Sequence, residues 1–251
     1  MKVTVLAHRG GSAGRFPENS ISAFLAGITA GADVLELDVR LSRDGRVAVI
    51  HDEAIDRVCG ENGAVSELTL SELQSHPMRD GAGTVHRDCR ISPLDDVLER
   101  CSEVHFNIDL KTAEPSLARS VYELLGRYGA LSRATVASFL PEALEYFRSI
   151  APEVRTSAHP GEVKALLRAR FSGGTVDTPA QAVQIPRRYG IVPLATRGFI
   201  RFLHRRDFNV DVWTLNDTSS IRAAALNGVD GIVTDDVALA RNVLTTLRSA
   251  Q

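Results

Sequence analysis

The amino-acid sequence predicts a single (β/α)8 barrel, the TIM-barrel class of α/β fold, on three observations. Eight strand-like apolar runs each lead into a helical stretch, and this alternation over roughly 250 residues matches an eightfold barrel. The chain has 251 residues, 44% of them hydrophobic and 24% charged, which is enough for one large core. No internal repeat, low-complexity tract or linker-like boundary divides it, so we expect one domain over residues 1–251.

The first β/α unit lies at the N-terminus. Residues 3–7 form a short apolar run, typical of a buried strand, that ends at the glycine turn of residues 8–11. An apolar-periodic stretch follows, with Asn19 or Ser20 as its expected N-cap and Gly31 as its expected C-cap. We therefore expect a strand, a loop and a helix in this order.

The second strand continues into a hairpin. Residues 34–41 alternate leucine or β-branched residues with charged ones, as strands do. Asp44 and Gly45 then separate two strand-like runs, and Asp-Gly is a strong hairpin signal, so residues 47–52 should return antiparallel. This return is not counted among the parallel strands. A small insertion, roughly residues 52–103, is expected to follow it.

Helices within the insertion are marked by their first residues. Thr69 with Glu72 three positions later is typical of a capping box, and Pro93 suits the first turn of another helix.

The remaining six strands are expected over residues 104–111, 134–138, 154–158, 182–185, 210–215 and 231–235. Helices are expected between them over residues 116–127, 142–150, 162–171, 198–206 and 217–228, and a last helix closes the chain.

The overall composition excludes several classes of protein. The formal net charge is -2, so no global basic character indicates a nucleic-acid partner. No run approaches the ~18 apolar residues of a membrane span, and the apolar run at the N-terminus is too short for a signal peptide. Cys59, Cys89 and Cys101 form no C-x-x-C pair, which fits a reducing compartment. We expect a cytoplasmic protein without stable membrane insertion, and its oligomeric state is left open.

Two carboxylates stand close together on the second strand. Glu36 and Asp38 are two positions apart, so their side chains point to the same face. Neighbouring buried carboxylates repel each other and usually share a proton or hold a cation. We hypothesise that this pair holds a divalent metal at the working end of the barrel. The alternative, on this stretch alone, is an exposed edge strand with two solvated acids.

Further polar residues collect at the carboxyl ends of the strands, where the active sites of such barrels lie. Asp109 and Lys111 share a face of the third strand, His8 and Arg9 end the first, and the hairpin brings His51 to the same end. Three carboxylates suit a hard cation with oxygen ligands, Mg²⁺ or Ca²⁺. The two cationic side chains would attract an anion such as phosphate, and two histidines can act as general acid and base near neutral pH.

A series of short motifs runs in order along almost the whole chain. These are residues 8–10 (HRG), 17–20 (PENS), 36–39 (ELDV), 44–45 (DG), 51–52 (HD), 68–73 (LTLSEL), 91–98 (ISPLDDVL), 107–111 (NIDLK), 138–139 (SF), 212–216 (VWTLN) and 228–235 (GVDGIVTD). Each motif alone is weak, but their combination in this order is highly specific. Through it the chain resembles the glycerophosphodiester phosphodiesterase family.

The resemblance implies a barrel phosphodiesterase whose partner is a small molecule. It would hydrolyse glycerophosphodiesters, such as deacylated phospholipids, to sn-glycerol 3-phosphate and an alcohol, and the insertion would help to shape the substrate entrance. The resemblance implies that Glu36, Asp38 and Asp109 are the metal ligands. It implies that His8 and His51 are the acid/base pair, and that Arg9 and Lys111 bind the phosphate.

Two positions depart from the family pattern. The third metal carboxylate is usually Glu and is Asp109 here, one methylene shorter, so the metal would sit closer to that strand or a water would bridge the gap. The usual proline after the last Thr-Asp is absent, and Asp236 and Val237 stand there. We interpret the second departure as a loop change with little effect on the chemistry.

The reaction path and two alternative functions remain open. One histidine would deprotonate the nucleophile, either water or the adjacent glycerol hydroxyl through a cyclic phosphate, and the other would protonate the leaving alkoxide; the resemblance favours His51 as the acid.

Phe139 and Trp213 are either core residues or part of a substrate wall. A phospholipase D-like enzyme for lysophospholipid or sphingomyelin would need an apolar entrance, and no exposed aromatic cluster is evident around the insertion. The other alternative is a barrel that binds phosphorylated ligands without catalysis.

Overall fold

Eight parallel strands form the centre of the molecule. The structure, a computed structural model, describes residues 3–249. The barrel strands, numbered in chain order, are β1 Thr4–Ala7, β2 Val34–Leu41, β3 His105–Leu110, β4 Ala134–Ala137, β5 Arg155–Thr156, β6 Ala182–Pro186, β7 Asn209–Trp213 and β8 Gly231–Thr234. Each of the eight predicted strands is present, with bounds close to the predicted ones.

Neighbouring strands pair in chain order around the barrel. β1 pairs with both β2 and β8, and the pairing continues through β3, β4 and β5 on one side and through β7 and β6 on the other. A parallel bridge between Ser157 and Ala182 joins the end of β5 to β6 and closes the ring. The predicted (β/α)8 barrel is confirmed, and in it β5 and β6 lie across from β1 and β2.

A helix follows each barrel strand. These are α1 Ile21–Thr29, α2 Leu94–Arg100, α3 Pro115–Arg127, α4 Pro141–Ile150, α5 Pro160–Ser172, α6 Arg197–His204, α7 Thr218–Asn227 and α8 Val237–Ser249. Side-chain caps start two of them: Ser20 Oγ, as predicted, accepts from the N–H of Ala23 at 3.2 Å, and Asp217 Oδ1, at the start of the range predicted for α7, accepts from the N–H of Ser220 at 2.9 Å. Such caps satisfy backbone donors that the helix leaves free, and they fix where each loop ends.

The predicted hairpin leads from β2 into the insertion. Val47–Val49 pairs antiparallel with the end of β2. The insertion contains the short helices Asp56–Cys59 and Leu70–Ser75, and the second has the predicted capping box at Thr69. It has a small hydrophobic core of its own, formed by Ala48, Ile50, Ile55, Val58, Cys59, Val65, Leu73, Met78, Cys89 and Ile91.

Helix α2 packs with the barrel and not with the core of the insertion. Its residues Leu94, Val97 and Leu98 are buried in the main hydrophobic core, together with residues of β2 and β3. The separate core is therefore formed by residues between 48 and 91. It begins in the returning strand of the hairpin, just before the expected span of residues 52–103, and ends before α2.

The sequence pattern does not predict two short hairpins. Arg188–Tyr189 pairs antiparallel with Val192–Pro193 between β6 and α6, and we call this segment hairpin 188–193. Met78–Arg79 pairs with Val85–His86 within the insertion. Strands of two residues are too short to show the alternation of apolar and polar residues by which strands are predicted.

Two further findings concern the chain as a whole. The three cysteines, Cys59, Cys89 and Cys101, are buried free thiols. Among the helices of residues 3–249, none combines the length and the apolar character required to cross a bilayer.

Candidate active site

A cavity of about 640 Å³ opens at the carboxyl ends of the barrel strands, and each strand or the segment directly after it contributes to the lining. The site residues that the sequence predicts all line this cavity; they are His8, Arg9, Glu36, Asp38, His51, Asp109, Lys111, Phe139 and Trp213. The structure thus brings the predicted residues together, while their roles stay predictions.

The turn after β1 carries His8 and Arg9 into the cavity. It is a single 3-10 turn in which Arg9 has a left-handed backbone with φ 49°, a conformation that is unfavourable for a residue other than glycine. Gly10 lies so close to α1 that a Cβ atom there would stand 2.6 Å from the Cβ of Ala23. The N–H of Arg9 donates to Glu36 Oε2 at 2.9 Å, so the turn is attached to β2 as well as to α1.

Three buried carboxylates lie together on β2 and β3. In the register of these strands Asp38 stands opposite Asp109, and Glu36 stands opposite Asn107. Glu36, Asp38 and Asp109 are 7%, 1% and 6% exposed. The alternative of an exposed edge strand with solvated acids is therefore wrong, because β2 is an interior strand of the closed barrel.

Two cationic side chains lie against these carboxylates. Lys111 Nζ is 2.8 Å from Asp38 Oδ1 and 2.6 Å from Asp109 Oδ2, and Arg9 Nε is 3.2 Å from Asp38 Oδ2. Asn19 Nδ2 also donates to Asp38 Oδ2 at 2.9 Å. Burial disfavours ionisation of Asp38, but the charges of Lys111 and Arg9 outweigh it and lower the pKa of this carboxyl.

The other two carboxyls are shifted in the opposite direction. Burial raises the pKa of Glu36, and the charge of Asp38 raises it further. Burial also raises the pKa of Asp109 to about 6, against the opposing charge of Lys111. Burial is the largest cause of both shifts, so the raised pKa values mainly reflect the loss of solvent around these two carboxyls.

The acids form a donor set that suits a hard cation, since Mg²⁺ and Ca²⁺ prefer carboxylate oxygens. Asp109 Oδ1 is buried and has no hydrogen-bond partner among the described residues. In the conformation of residues 3–249, no three Asp, Glu, His or Cys side chains converge as a metal site. Lys111 lies between Asp38 and Asp109 instead. The residue types and the free oxygen fit a divalent cation, which would share these carboxylates with Lys111.

Each of the two histidines has a carboxylate of its own. His8 Nδ1 lies 2.6 Å from Asp235 Oδ1, and His51 Nδ1 lies 2.7 Å from Asp52 Oδ1. A carboxylate at Nδ1 fixes the tautomer of the ring and leaves Nε2 for proton transfer. Burial lowers the pKa of His8, but the hydrogen bond to Asp235 and the charge of Glu36 outweigh it and raise that pKa above its ordinary value.

Ion pairs connect the insertion to both sides of the site. Arg57, in the insertion, donates from Nε to Asp52 Oδ2 at 2.6 Å and from its two terminal nitrogens to the carboxylate of Glu18 at 2.8 and 2.7 Å. Glu18 in turn accepts from Arg9 at 2.9 Å. The insertion is thereby linked to His51 through Asp52 and to Arg9 through Glu18.

An aromatic pair forms part of the cavity wall. The rings of Phe139 and Trp213 meet edge to face with centroids 5.8 Å apart, and Lys111 Nζ lies 6.0 Å from the Phe139 ring. The Phe139 side chain is 57% exposed, so it is not a core residue.

A buried polar layer lies one step toward the amino ends of the strands. Gln184 Nε2 donates to Asn107 Oδ1 at 2.9 Å and to Asp211 Oδ2 at 3.2 Å. Asp211 Oδ1 also accepts from Asn209 at 3.3 Å. Burial raises the pKa of Asp211 to about 6 despite these bonds. This layer gives the cavity a polar floor.

Comparison with known proteins decides which family this site belongs to. The family model described as the glycerophosphoryl diester phosphodiesterase family matches residues 8–239. The chain belongs to this family. Its members are phosphoric diester hydrolases, so the cavity is the candidate active site of an enzyme.

Relatives match the phosphodiesterase chain over nearly its full length. A glycerophosphodiester phosphodiesterase of Bacillus altitudinis is 30% identical over 246 residues, which cover 92% of this chain and 94% of the relative. The crystal structure of a glycerophosphodiester phosphodiesterase from Agrobacterium tumefaciens is 28% identical, with a TM-score of 0.78 and coverage of 97% and 100%. An Oleispira antarctica phosphodiesterase, solved in complex with the product sn-glycerol-3-phosphate, is 23% identical and shares the fold, with a TM-score of 0.79 and coverage of 96% of both chains.

Sequence reasoning gives no role to three residues of this phosphodiesterase-family site. Asp235 and Asp52 belong to motifs that carry the family resemblance, but their contacts with the histidines become visible only in the structure. Asp235 directly follows the last strand, and that position places it at the carboxyl end of the barrel but does not indicate that it contacts His8. Arg57 lies in an insertion without a legible motif, and the sequence offers no signal for it.

Proposed function

We propose that this protein hydrolyses glycerophosphodiesters to sn-glycerol 3-phosphate and an alcohol. The observation that carries the proposal is the pairing of His8 with Asp235 and of His51 with Asp52 on one cavity lined by cations and carboxylates. Membership of the phosphodiesterase family supports the reaction class. The Oleispira relative, which binds sn-glycerol-3-phosphate as its product, supports the identity of the phosphorylated product.

The two histidines would carry out the proton transfers. One Nε2 accepts the proton of the nucleophile, which is water or the adjacent glycerol hydroxyl, and the other ring gives a proton to the leaving alkoxide. Asp235 and Asp52 orient the rings, and Asp235 also stabilises the charged form of His8. The family resemblance favours His51 as the acid.

Arg9 and Lys111 would bind the phosphate. Both place a positive charge on the cavity surface, where it stabilises the negative charge that builds up on the phosphate oxygens in the transition state. Arg9 is held by Glu18 and Asp38, and Lys111 by Asp38 and Asp109. Because these contacts already fix both side chains, little conformational entropy is lost when the phosphate binds.

Glu36, Asp38 and Asp109 would hold a divalent cation, Mg²⁺ or Ca²⁺. When bound, such an ion acts as a Lewis acid toward a phosphate oxygen. The protein contributes ionised carboxylates, and Lys111 and Arg9 favour ionisation of Asp38. The unpartnered Oδ1 of Asp109 supports this assignment, and it makes the shorter acid at this position a usable ligand.

Phe139 and Trp213 would form one wall of the substrate site. Their edge-to-face contact beside Lys111 supports this role, because it places apolar surface next to a phosphate-binding cation. The free, buried thiols of Cys59, Cys89 and Cys101 support a cytoplasmic location, which cell fractionation tests.

A panel of glycerophosphodiesters, assayed with and without a chelator, tests the proposal. We expect release of sn-glycerol 3-phosphate from glycerophosphocholine, loss of this activity with the chelator, and its return with Mg²⁺ or Ca²⁺. Turnover that the chelator leaves unchanged would remove the cation from the mechanism. Ligand binding without turnover of any phosphodiester would favour the alternative of a non-catalytic barrel.

A further inference from the structure

The cavity is polar on one side of the barrel and apolar on the other. The charged residues described above come from β1, β2 and β3 and from the segments that follow them. One further cation, Lys164 on α5, lines the other side, with its Nζ 5.6 Å from the centre of the Tyr189 ring. The opposite side, formed by β5, β6 and the segments after them, contributes an apolar surface. This apolar wall consists of Val163, Leu167, Ile185, Pro186, Val192 and Leu194.

Hairpin 188–193 extends the apolar wall toward solvent. Val192 and Tyr189 line the cavity but are 43% and 63% exposed, and Ile191 at the tip is 88% exposed. Apolar surface that is exposed next to a binding cavity is unfavourable in water and marks an interaction site. The exposed apolar residues that border the cavity, Tyr189, Ile191 and Val192, follow β6 and do not belong to the insertion, where the sequence predicts the substrate entrance.

A glycerophosphodiester with a small polar alcohol makes no use of such a surface. The phosphate and the glycerol hydroxyls match the side of Arg9, Lys111 and the histidines, whereas the six side chains of the apolar wall offer hydrocarbon contacts. A cavity of about 640 Å³ lies in the size range of pockets that enclose larger ligands. The half of the cavity opposite the charges therefore suits an apolar substituent of the same substrate.

We infer that the apolar wall binds a hydrocarbon chain carried by the phosphodiester substrate. The inference rests on the proposed function and specifies its substrate class: a phosphodiester with one hydrocarbon chain, attached either to the glycerol or to the leaving alcohol. In the overall reaction a water oxygen forms the new bond to phosphorus, the bond from phosphorus to the alcohol oxygen breaks, and that oxygen leaves with a proton. The products are a glycerol phosphate, with or without its chain, and the alcohol.

Binding can be measured without turnover, because Trp213 is the single tryptophan of the chain and lines the cavity. The probe is a series of monomeric alkylphosphocholines of increasing chain length, titrated while Trp213 fluorescence is recorded. We expect Kd to fall with each added methylene, by up to about fourfold, which corresponds to about 0.8 kcal/mol. A Kd that does not change with chain length would overturn the inference.

A matched pair of variants locates the binding surface. Val192→Asp places a charge on the apolar wall, whereas Val85→Asp places one on the other two-residue hairpin, outside the cavity lining, at a residue that is equally exposed (45% against 43%). Val192→Asp should weaken binding of the longest chain by about tenfold or more, while Val85→Asp should leave its Kd unchanged. Equal effects of the two substitutions would contradict the assignment.

Turnover then distinguishes the two places where the chain can be attached. A value of kcat/KM that rises along a series of acyl glycerophosphocholines places the chain on the glycerol. A rise along a series of glycerophospho-alkanols places it on the leaving alcohol. Hydrolysis of glycerophosphocholine together with chain-independent binding would reject this inference alone. Chain-dependent binding without any turnover would reject the proposed function and leave the chain site standing.

Discussion

His8 and Asp235 are neighbours in space although 227 positions separate them in the chain. Ala7 pairs with Thr234 in the parallel register of β1 and β8, so the residues that follow them stand side by side at the cavity. The resulting distance of 2.6 Å between His8 Nδ1 and Asp235 Oδ1 makes the carboxylate the orienting partner of a proposed catalytic ring.

Replacing this carboxylate should change both the titration of His8 and the rate. Asp235 raises the pKa of His8, so Asp235→Asn should lower that pKa and reduce kcat by roughly tenfold or more, because the ring loses its orienting acceptor. An NMR titration of His8 and a pH–rate profile measure the two effects. Asp207→Asn, at an exposed acid, is the control. An unchanged His8 pKa would refute the role of Asp235.

The fold could be predicted closely because each barrel element has a local signal. The apolar runs of the strands, the caps at Ser20 and Asp217 and the Asp-Gly turn at Gly45 each determine structure within a few residues. Hairpin 188–193 has no such signal, since its strands are too short for a period and its exposed tip is apolar. The apolar side of the cavity therefore became visible only in the structure.

Loss of the arginine that links the insertion to the site should impair turnover. Arg57→Ala removes the donor that holds Asp52 and Glu18, and we expect kcat to fall by roughly tenfold with little change in KM. Arg57→Lys should restore only part of the rate, because one ammonium group cannot span both carboxylates as a guanidinium does. Arg87→Ala, an exposed arginine of the same insertion, is the matched control. Equal kcat values for Arg57→Ala and the wild type would make the link purely structural.

Cation binding should release protons at mildly acidic pH. Burial raises the pKa of Asp109 to about 6 and raises that of Glu36 as well, whereas a bound cation needs both groups ionised. Affinity for Mg²⁺ should therefore increase as the pH rises from about 5 to about 7. Isothermal titration calorimetry in buffers of different ionisation enthalpy counts the protons. Asp109→Asn should weaken binding and reduce the count, and binding without proton release would contradict the assignment.

The buried acid below the cavity should make stability depend on pH. Burial raises the folded-state pKa of Asp211 to about 6 from 3.8, so its neutral form contributes stability that is complete below the unfolded pKa and is lost as the pH rises to about 6. Asp211→Asn should remove this loss, which amounts to roughly 3 kcal/mol. Urea unfolding of wild type, Asp211→Asn and the control Asp207→Asn at about pH 4 and about pH 8 measures it. The same pH dependence in all three proteins would contradict the account of Asp211.

The site could be predicted as a set of residues but not as a set of contacts. Alternation along β2 places Glu36 and Asp38 on one face, and barrel geometry brings the strand ends together. Neither rule indicates that Lys111 lies between two carboxylates or that Arg57 reaches the site from the insertion. Such contacts depend on strand register and on packing across distant parts of the chain, which local patterns do not encode.

The most direct test of the central claim is the rate at which sn-glycerol 3-phosphate is released from glycerophosphocholine by His8→Ala and His51→Ala. Both variants should fold as the wild type does and lose roughly 10²–10⁴-fold in kcat. His105→Ala, at an exposed histidine where β3 begins, should keep the wild-type rate. A near-wild-type rate in either cavity variant, with its fold intact, would contradict a mechanism based on paired histidines.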